Sequence, residues 1–279
     1  MHDEYPLEQL CATLAVARSG YPAWAGRLPG PRAQANLALL PLIAQAHQES
    51  RQTYGSPRVQ HWLQQHGQQC GRHRVARLMR LVGLCSQSRR RFRPLSLTDS
   101  NHDLPIAPNR LRDAVLPTRC DAVWVADITY VKTNEGFLYV AGVLDRCTRR
   151  CIGWAMSDSL AATLPLAALD MALQQRRPPA GLVHHSDRGS QYASEAYRQK
   201  LVQAGVIPSM SRPGNCYDNA AMESFWSSLK RELVHRCQFA THAEARAAIF
   251  EWIEIFYNRE RLHSALGFKS PVDFETQLN

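Results

Sequence analysis

Trp124-Val125-Ala126-Asp127-Ile128-Thr129-Tyr130 is a run of β-branched and aromatic residues with one carboxylate set in its middle. Such side chains favour a pleated, well-buried strand. An unpartnered carboxylate buried among them costs several kcal/mol. Asp127 therefore faces an open edge, pairs with a cation or binds a metal. Two more apolar runs follow at short intervals, Gly136 to Asp145 and Arg150 to Ser157, and the polar turn Thr133-Asn134-Glu135 precedes the first of them. Three such runs joined by short turns predict an antiparallel meander.

Beyond the meander the periodicity alternates. Leu164 to Gln175 predicts a helix, Gly181 to His185 a short strand, Ser194 to Ala204 a helix, Ile207 to Ser209 a strand, and Asn219 to His235 a closing helix. The order βββαβαβα is that of an RNase H-like domain, so the predicted fold class is α/β, a mixed five-stranded sheet flanked by helices. A last helix, Ala243 to Phe256, leads into Tyr257-Asn258-Arg259-Glu260-Arg261-Leu262-His263-Ser264.

Two more carboxylates fall at telling places. Asp187 follows a short strand and opens the turn Arg188-Gly189-Ser190-Gln191-Tyr192. Strand ends are where open sheets present functional groups, although aspartate is also an ordinary turn residue. Glu223 lies near the start of Ala220-Ala221-Met222-Glu223-Ser224-Phe225-Trp226-Ser227-Ser228-Leu229-Lys230. Lys230, seven positions on, stands almost above it on the helix, with Ser227 between. That face offers a carboxylate and then a cation, or simply an exposed acid with a distant lysine. Asp127 and Asp187 enclose 59 residues, and Asp187 and Glu223 enclose 35.

With these spacings the chain resembles the integrase-type DDE recombinases, and among them the second-reading-frame (OrfB) transposases of bacterial insertion-sequence family three. The resemblance spans roughly residues 34 to 275. It rests on the Trp124–Tyr130 run, on His184-His185-Ser186-Asp187-Arg188-Gly189-Ser190-Gln191-Tyr192, and on Ser211-Arg212-Pro213-Gly214-Asn215-Cys216-Tyr217-Asp218-Asn219-Ala220-Ala221-Met222-Glu223-Ser224-Phe225. Tyr257-Asn258 through Arg261, His263, Leu266-Gly267 and Pro271 fits as well. Ala126 departs from the commoner threonine before the first aspartate, a change that bears on packing more than on ligation.

Composition supplies the partner. The chain has 279 residues, 45% of them hydrophobic, and a net charge of +9. Residues 1 to 120 hold 16 basic and 7 acidic side chains, against 17 and 17 in the remainder, and all 16 early cations are arginine. The planar guanidinium fork suits phosphate and guanine edges, so nucleic acid is the expected partner. Ala33 to Ser50 predicts a helix with Leu37, Leu40, Ile43 and Ala44 on its apolar face. Ser56-Pro57 starts a second helix with Val59, Trp62 and Leu63 inward, as N-cap and first-turn proline. Gly67 to Gly71 makes a turn, and Arg72 to Leu84 a third helix with Val75, Leu78, Met79 and Val82 inward. Arg72, Arg74, Arg77 and Arg80 are left outside, as in a helix-turn-helix that reads a major groove. Arg89, Arg90, Arg91 and Arg93 form a basic arm behind it.

The expected layout is a tether over 1–32, with a short helix near Leu7 to Arg18, and a small all-α helix-turn-helix DNA-binding domain with its arm over 33–93. A linker (94–118), a catalytic core (119–236) and a helical extension (237–279) follow. The eight cysteines show no CxxC pair and are expected to be free and mostly buried. No apolar run approaches the 18 to 20 residues of a membrane span. No basic N-terminal segment leads an apolar core as in a secretory signal, so the expected location is cytoplasmic with no membrane partner, and the resemblance implies a bacterial, nucleoid-associated protein.

What the resemblance implies is a DNA transposase in which Asp127, Asp187 and Glu223 hold two Mg²⁺ ions, with Mn²⁺ able to substitute. Asp127 is expected to bridge, with Asp187 on one ion and Glu223 on the other. Lys230 is expected to touch phosphate at the element end, Tyr217, Asp218 and Asn219 to shape the loop before the catalytic helix, and Arg261 and His263 either to serve the site or to brace the last helix. His184 and His185 either position water or support the core. The expected partners are double-stranded DNA (element terminal repeats and target), further copies of the chain assembled on that DNA, and the upstream-frame product or a fusion with it. Two alternatives share these features: an RNase H-like nuclease that cuts without joining, and a catalytically silent DNA-binding regulator.

Overall fold

In the computed structural model, which describes residues 5–87, 102–111, 116–212 and 219–278, the strand around Asp127 is the centre of a mixed sheet. β1 (Val123–Thr133), β2 (Gly136–Asp145) and β3 (Cys151–Ser157) form the antiparallel meander. β4 (Val183–Ser186) and β5 (Ile207–Met210) run parallel to β1, and the strand order is β3-β2-β1-β4-β5. The α/β class and the five strands match the expectation.

Alternation along β1 divides the core in two, because successive side chains of a strand face opposite ways. Trp124 and Ala126 join an apolar layer with α6 (Thr163–Arg176), α7 (Ser190–Ala193) and α8 (Glu195–Gln203). Val125 and Val131 join the opposite layer with α9 (Ala220–Glu232), α10 (His242–Glu251) and the π-helical stretch Trp252–Glu260. Gly153 on β3 lets α6 come close: a Cβ there would stand 2.2 Å from the Ala168 carbonyl oxygen. Edge strand β3 is capped by Asn258, whose Oδ1 accepts from the Cys151 N–H (3.0 Å) and whose Nδ2 donates to the Cys151 carbonyl (2.9 Å). An edge so occupied no longer offers those groups to another chain.

Ahead of the sheet, α3 (Pro31–Glu49), α4 (Ser56–Gln65) and α5 (Arg72–Leu81) pack around Leu39, Ile43, Val59, Leu63, Val75 and Leu78. Three sequence expectations fail here, the first being the cap of α4, whose N-cap position is held by Gly55 while Ser56 is already helical. The buried stripe of α3 is Leu39, Ile43, Ala46 and His47, while Leu37 and Ala44 are exposed. That helix is apolar on most of its surface, so periodicity alone did not single out the face. α5 ends at Leu81 rather than Leu84, since Gly83 turns the chain at φ +70°, and Val82 is exposed instead of inward. The N-terminal segment holds two short helices, α1 (Leu7–Thr13) and α2 (Gly20–Ala25), where one over Leu7 to Arg18 was expected; Ala15, at φ +53°, separates them.

Of the expected linker, residues 102–111 lie against the sheet. His102 Nε2 meets the Arg188 carbonyl (2.8 Å), the Arg110 N–H donates to Ser209 Oγ on β5 (2.9 Å), and Leu111 is buried in the core. At the far end α11 (Pro271–Thr276) brings Glu275 between Arg150 and Arg176, and Arg176 also holds Asp121 at 3.0 Å. Among the described cysteines all are free, but only Cys11 and Cys151 are buried, so the expectation of mostly buried thiols is corrected. Among the described residues no helix is long and apolar enough to cross a membrane.

Candidate active site

The parallel pairing of β1 and β4 sets Val123 beside Val183, Trp124 beside His184 and Val125 beside His185. Two residues further along each chain stand Asp127 and Asp187. Asp187 thus leaves the end of β4 next to the stretch of β1 that carries Asp127. Asp127 shares its face of β1 with Val125, the side covered by α9. Opposite it on β2 is Gly142, where a Cβ would come within 3.0 Å of Trp226 and 3.4 Å of Met222. The missing side chain lets α9 lie directly over the strand. Asn219, just before α9, donates through Nδ2 to the Ala126 carbonyl (3.1 Å), fixing the start of the helix beside Asp127.

Asp187 closes a tight turn, its Oδ1 accepting from the Gly189 N–H at 2.9 Å. A Cβ on Gly189 would press on that oxygen at 3.1 Å. Glu223 sits exposed in the first turn of α9.

Electrostatics tie the three acids together. The Asp127 carboxyl is pushed up to about 8, first by burial, then by the charge of Asp187, and to a smaller degree by that of Glu223. The Ile128 N–H and the positive end of the Trp226 indole, which is buried without a direct hydrogen bond, pull it back. Asp187 therefore bears more strongly on Asp127 than Glu223 does. Among the described residues no three His, Cys, Asp or Glu side chains converge closely enough to hold a metal ion. The donor set nevertheless fits a hard dication in chemistry: carboxylate oxygens are its preferred ligands, and a cation among them relieves the repulsion felt by Asp127.

Lys230 lies with its Nζ 4.8 Å above the Tyr130 ring, and burial lowers its pKa while the charge of Asp127 raises it. His184 is buried with Nε2 3.1 Å from Tyr197 Oη. His185 is held by Ser209 Oγ (2.8 Å) and Ser211 Oγ (2.9 Å) across β5, so both rings are engaged inside the domain. Arg261 and His263 are buried away from the carboxylates, and Arg261 pairs with Glu232. On α5, Arg72, Arg77 and Arg80 are exposed, but Arg74 is half-buried and its Nε donates to Asn36 Oδ1 on α3 (2.8 Å). Arg89, Arg90, Arg91, Arg93, Tyr217 and Asp218 lie outside the described residues.

Sequence reasoning missed Gly142, Trp226 and Glu232. A glycine inside a strand does signal close approach of another element, so Gly142 had a readable cue. Glu232 had none, because its partner lies 29 residues away.

A mixed sheet with one carboxylate within its central strand and another just past the end of the adjoining parallel strand, a third acid on the covering helix and a helical domain in front define an integrase-type enzyme. The chain matches the Integrase core domain family over residues 117–216 and again over 204–271, and the HTH-like domain family over 34–92. It is 48% identical to the 31 kDa protein of insertion element IS600 from Shigella sonnei, over 97% of this chain and 98% of that one. It is 38% identical to transposase InsF for insertion sequence IS3A from Escherichia coli K12, over 98% of this chain and 95% of that one. The catalytic core of HTLV-2 integrase, solved with magnesium, is similar in structure at a TM-score of 0.44 and 14% identity, over 56% of this chain and 97% of that one. The chain belongs to the IS3 family of insertion-sequence transposases and is a DDE transposase.

Proposed function

We propose that this transposase cuts DNA at the ends of its insertion element and joins the freed 3′ ends to target DNA, using Asp127, Asp187 and Glu223 to hold two divalent cations, Mg²⁺ foremost. The observation that supports this most is that Asp127 on β1 feels the charge of Asp187, which follows the adjoining parallel strand β4, and that of Glu223 on the covering helix. When bound, such cations activate the attacking oxygen and stabilise the leaving one.

The remaining roles belong to the chain itself. Asp127 must give up its proton to serve as a ligand, so metal binding strengthens as pH rises. Asn219, bonded to the backbone beside Asp127, sets where α9 begins and hence where Glu223 stands. Lys230 shares the helix face of Glu223 and offers its ammonium to a DNA phosphate. In the reader, proposed to span 33–93 ahead of a core over 119–236 and an extension over 237–279, Arg72, Arg77 and Arg80 face outward for DNA, with Arg89, Arg90, Arg91 and Arg93 following. Arg74, committed to Asn36, supports the reader from within.

The test is Glu223→Gln in the full chain, assayed on duplexes bearing the element ends. Mg²⁺-dependent cutting and joining should vanish while DNA affinity stays unchanged; joining at the native rate would overturn the assignment. For the unmodified chain, cutting without joining would mark a nuclease, and DNA binding with neither a regulator.

A further inference from the structure

We infer that Arg261 is a positioning residue that couples the docking of the helical reader to the setting of the helix bearing Glu223; this rests on the reading of Glu223 given above. At about 100° per residue, Glu223 and Lys230 lie within about 20° of each other around α9, while Ser228 and Glu232 are turned away by about 140° and 180°. Arg261 grips that far face. Its Nε donates to Glu232 Oε2 (2.7 Å), and its Nη2 donates to Glu232 Oε1 (2.7 Å) and Ser228 Oγ (3.2 Å). A two-pronged fork fixes roll about the helix axis as well as distance, which a point charge does not.

The next residue faces the other way. Arg261 has extended backbone (φ −68°, ψ 121°), so consecutive side chains point to opposite sides. Leu262 enters the core of the reader. Its N–H donates to Tyr54 Oη (2.7 Å) and its carbonyl accepts from Arg58 Nε (2.7 Å), Tyr54 and Arg58 flanking the start of α4. Two adjacent residues thus hold the catalytic helix on one side and the DNA reader on the other, with no intervening residue to absorb movement. Close by, Arg51 at the end of α3 pairs with Glu251 (2.8 Å) and lies over the Phe256 ring, and Arg236 after α9 donates to the Arg51 carbonyl (2.5 Å).

A buried ion pair rarely outperforms apolar packing for stability alone, and orientation is the better-attested use of one. Reader and core could be glued by leucines. What the fork adds is a defined azimuth for α9 that follows any shift of the reader on DNA.

The experiment compares the full chain with Arg261→Lys and Glu232→Gln. It measures affinity for an element-end duplex, joining rate at saturating DNA across a Mg²⁺ series, and amide exchange over residues 220–232 with and without DNA. Both variants should bind DNA within about twofold of the unmodified chain yet join roughly 10- to 100-fold more slowly at saturation, as misplaced catalytic groups do. Their Mg²⁺ requirement should rise, and the slowing of α9 exchange on DNA binding, expected for the unmodified chain, should be lost. Native joining with a native Mg²⁺ requirement in either folded variant, or a defect lying wholly in DNA affinity, would overturn the coupling. Glu223→Gln separates the two readings: if it joins normally the Glu223 assignment falls, whereas if it is dead and Arg261→Lys is normal, only the coupling falls.

Discussion

Gly142 on the middle strand of the meander and Gly153 on its edge strand each lie under a helix, and alanine should be tolerated very differently at the two. At Gly153 the added carbon would meet the Ala168 carbonyl oxygen at 2.2 Å, Ala172 Cβ at 2.8 Å and the Ala172 nitrogen at 2.9 Å. Two of those three atoms are backbone, so no rotamer change relieves the clash and α6 must back away by about 1 Å. Overpacking of this kind costs about 1–3 kcal/mol, and the rigidity of the neighbours puts Gly153→Ala near the top, about 3 kcal/mol. At about 2–4 °C per kcal/mol for a domain of this size, melting should fall by about 6–12 °C. At Gly142 the neighbours are side chains, Trp226 at 3.0 and 3.2 Å and Met222 at 3.4 Å, able to yield a few tenths of an ångström. Alanine there also gains about 0.4–1 kcal/mol by restricting the unfolded chain. The net change should stay within about 1 kcal/mol, but α9 moves with Trp226, so Gly142→Ala should lower end joining more than it lowers stability. Circular-dichroism melts at fixed protein concentration, run beside an end-joining assay, decide the matter. A Gly153→Ala melt within about 2 °C of the unmodified chain, or a larger loss at Gly142, would refute the packing account.

Three more outcomes follow from the same geometry. Burial holds His184 down to about 3 and, with the charges of Arg261 and Arg58 adding, His263 down to about 2. Both lie below the unfolded value of about 6.5, so the unfolded chain takes up more protons in acid and stability falls as pH drops below that value. Between pH 7 and 5.5 the two should cost together about 2.5 kcal/mol; a denaturant midpoint that holds steady over this range would show that these rings do titrate in the fold. Replacing Arg72, Arg77 and Arg80 by alanine should reduce the slope of log affinity against log salt by about 3, measured by fluorescence anisotropy, whereas Arg74→Ala should act chiefly through stability. Lys230→Ala should weaken binding of element-end DNA by about tenfold without lowering the melting temperature, and an unchanged dissociation constant would remove the phosphate contact.

The features legible in the sequence are those written in local periodicity. β-branched runs and a short polar turn foretell β1, β2 and β3, because strand preference and turn chemistry act over a few residues. Asp127 and Asp187 could be singled out one by one, yet their pairing depends on the parallel register of β1 and β4, which no local pattern encodes. The buried face of α3 is hidden for the opposite reason: apolar residues lie on several sides of that helix, so only the packed neighbours choose between stripes. The C-terminal segment shows the limit most clearly. Tyr257-Asn258 through His263 offers itself in sequence as either a catalytic appendage or a brace. Its use becomes visible only when Asn258 is found capping β3 at Cys151, Arg261 gripping Glu232 and Leu262 inside the reader. Each of those partners lies at least 29 residues away along the chain, so the segment's work is to join elements that the sequence presents separately.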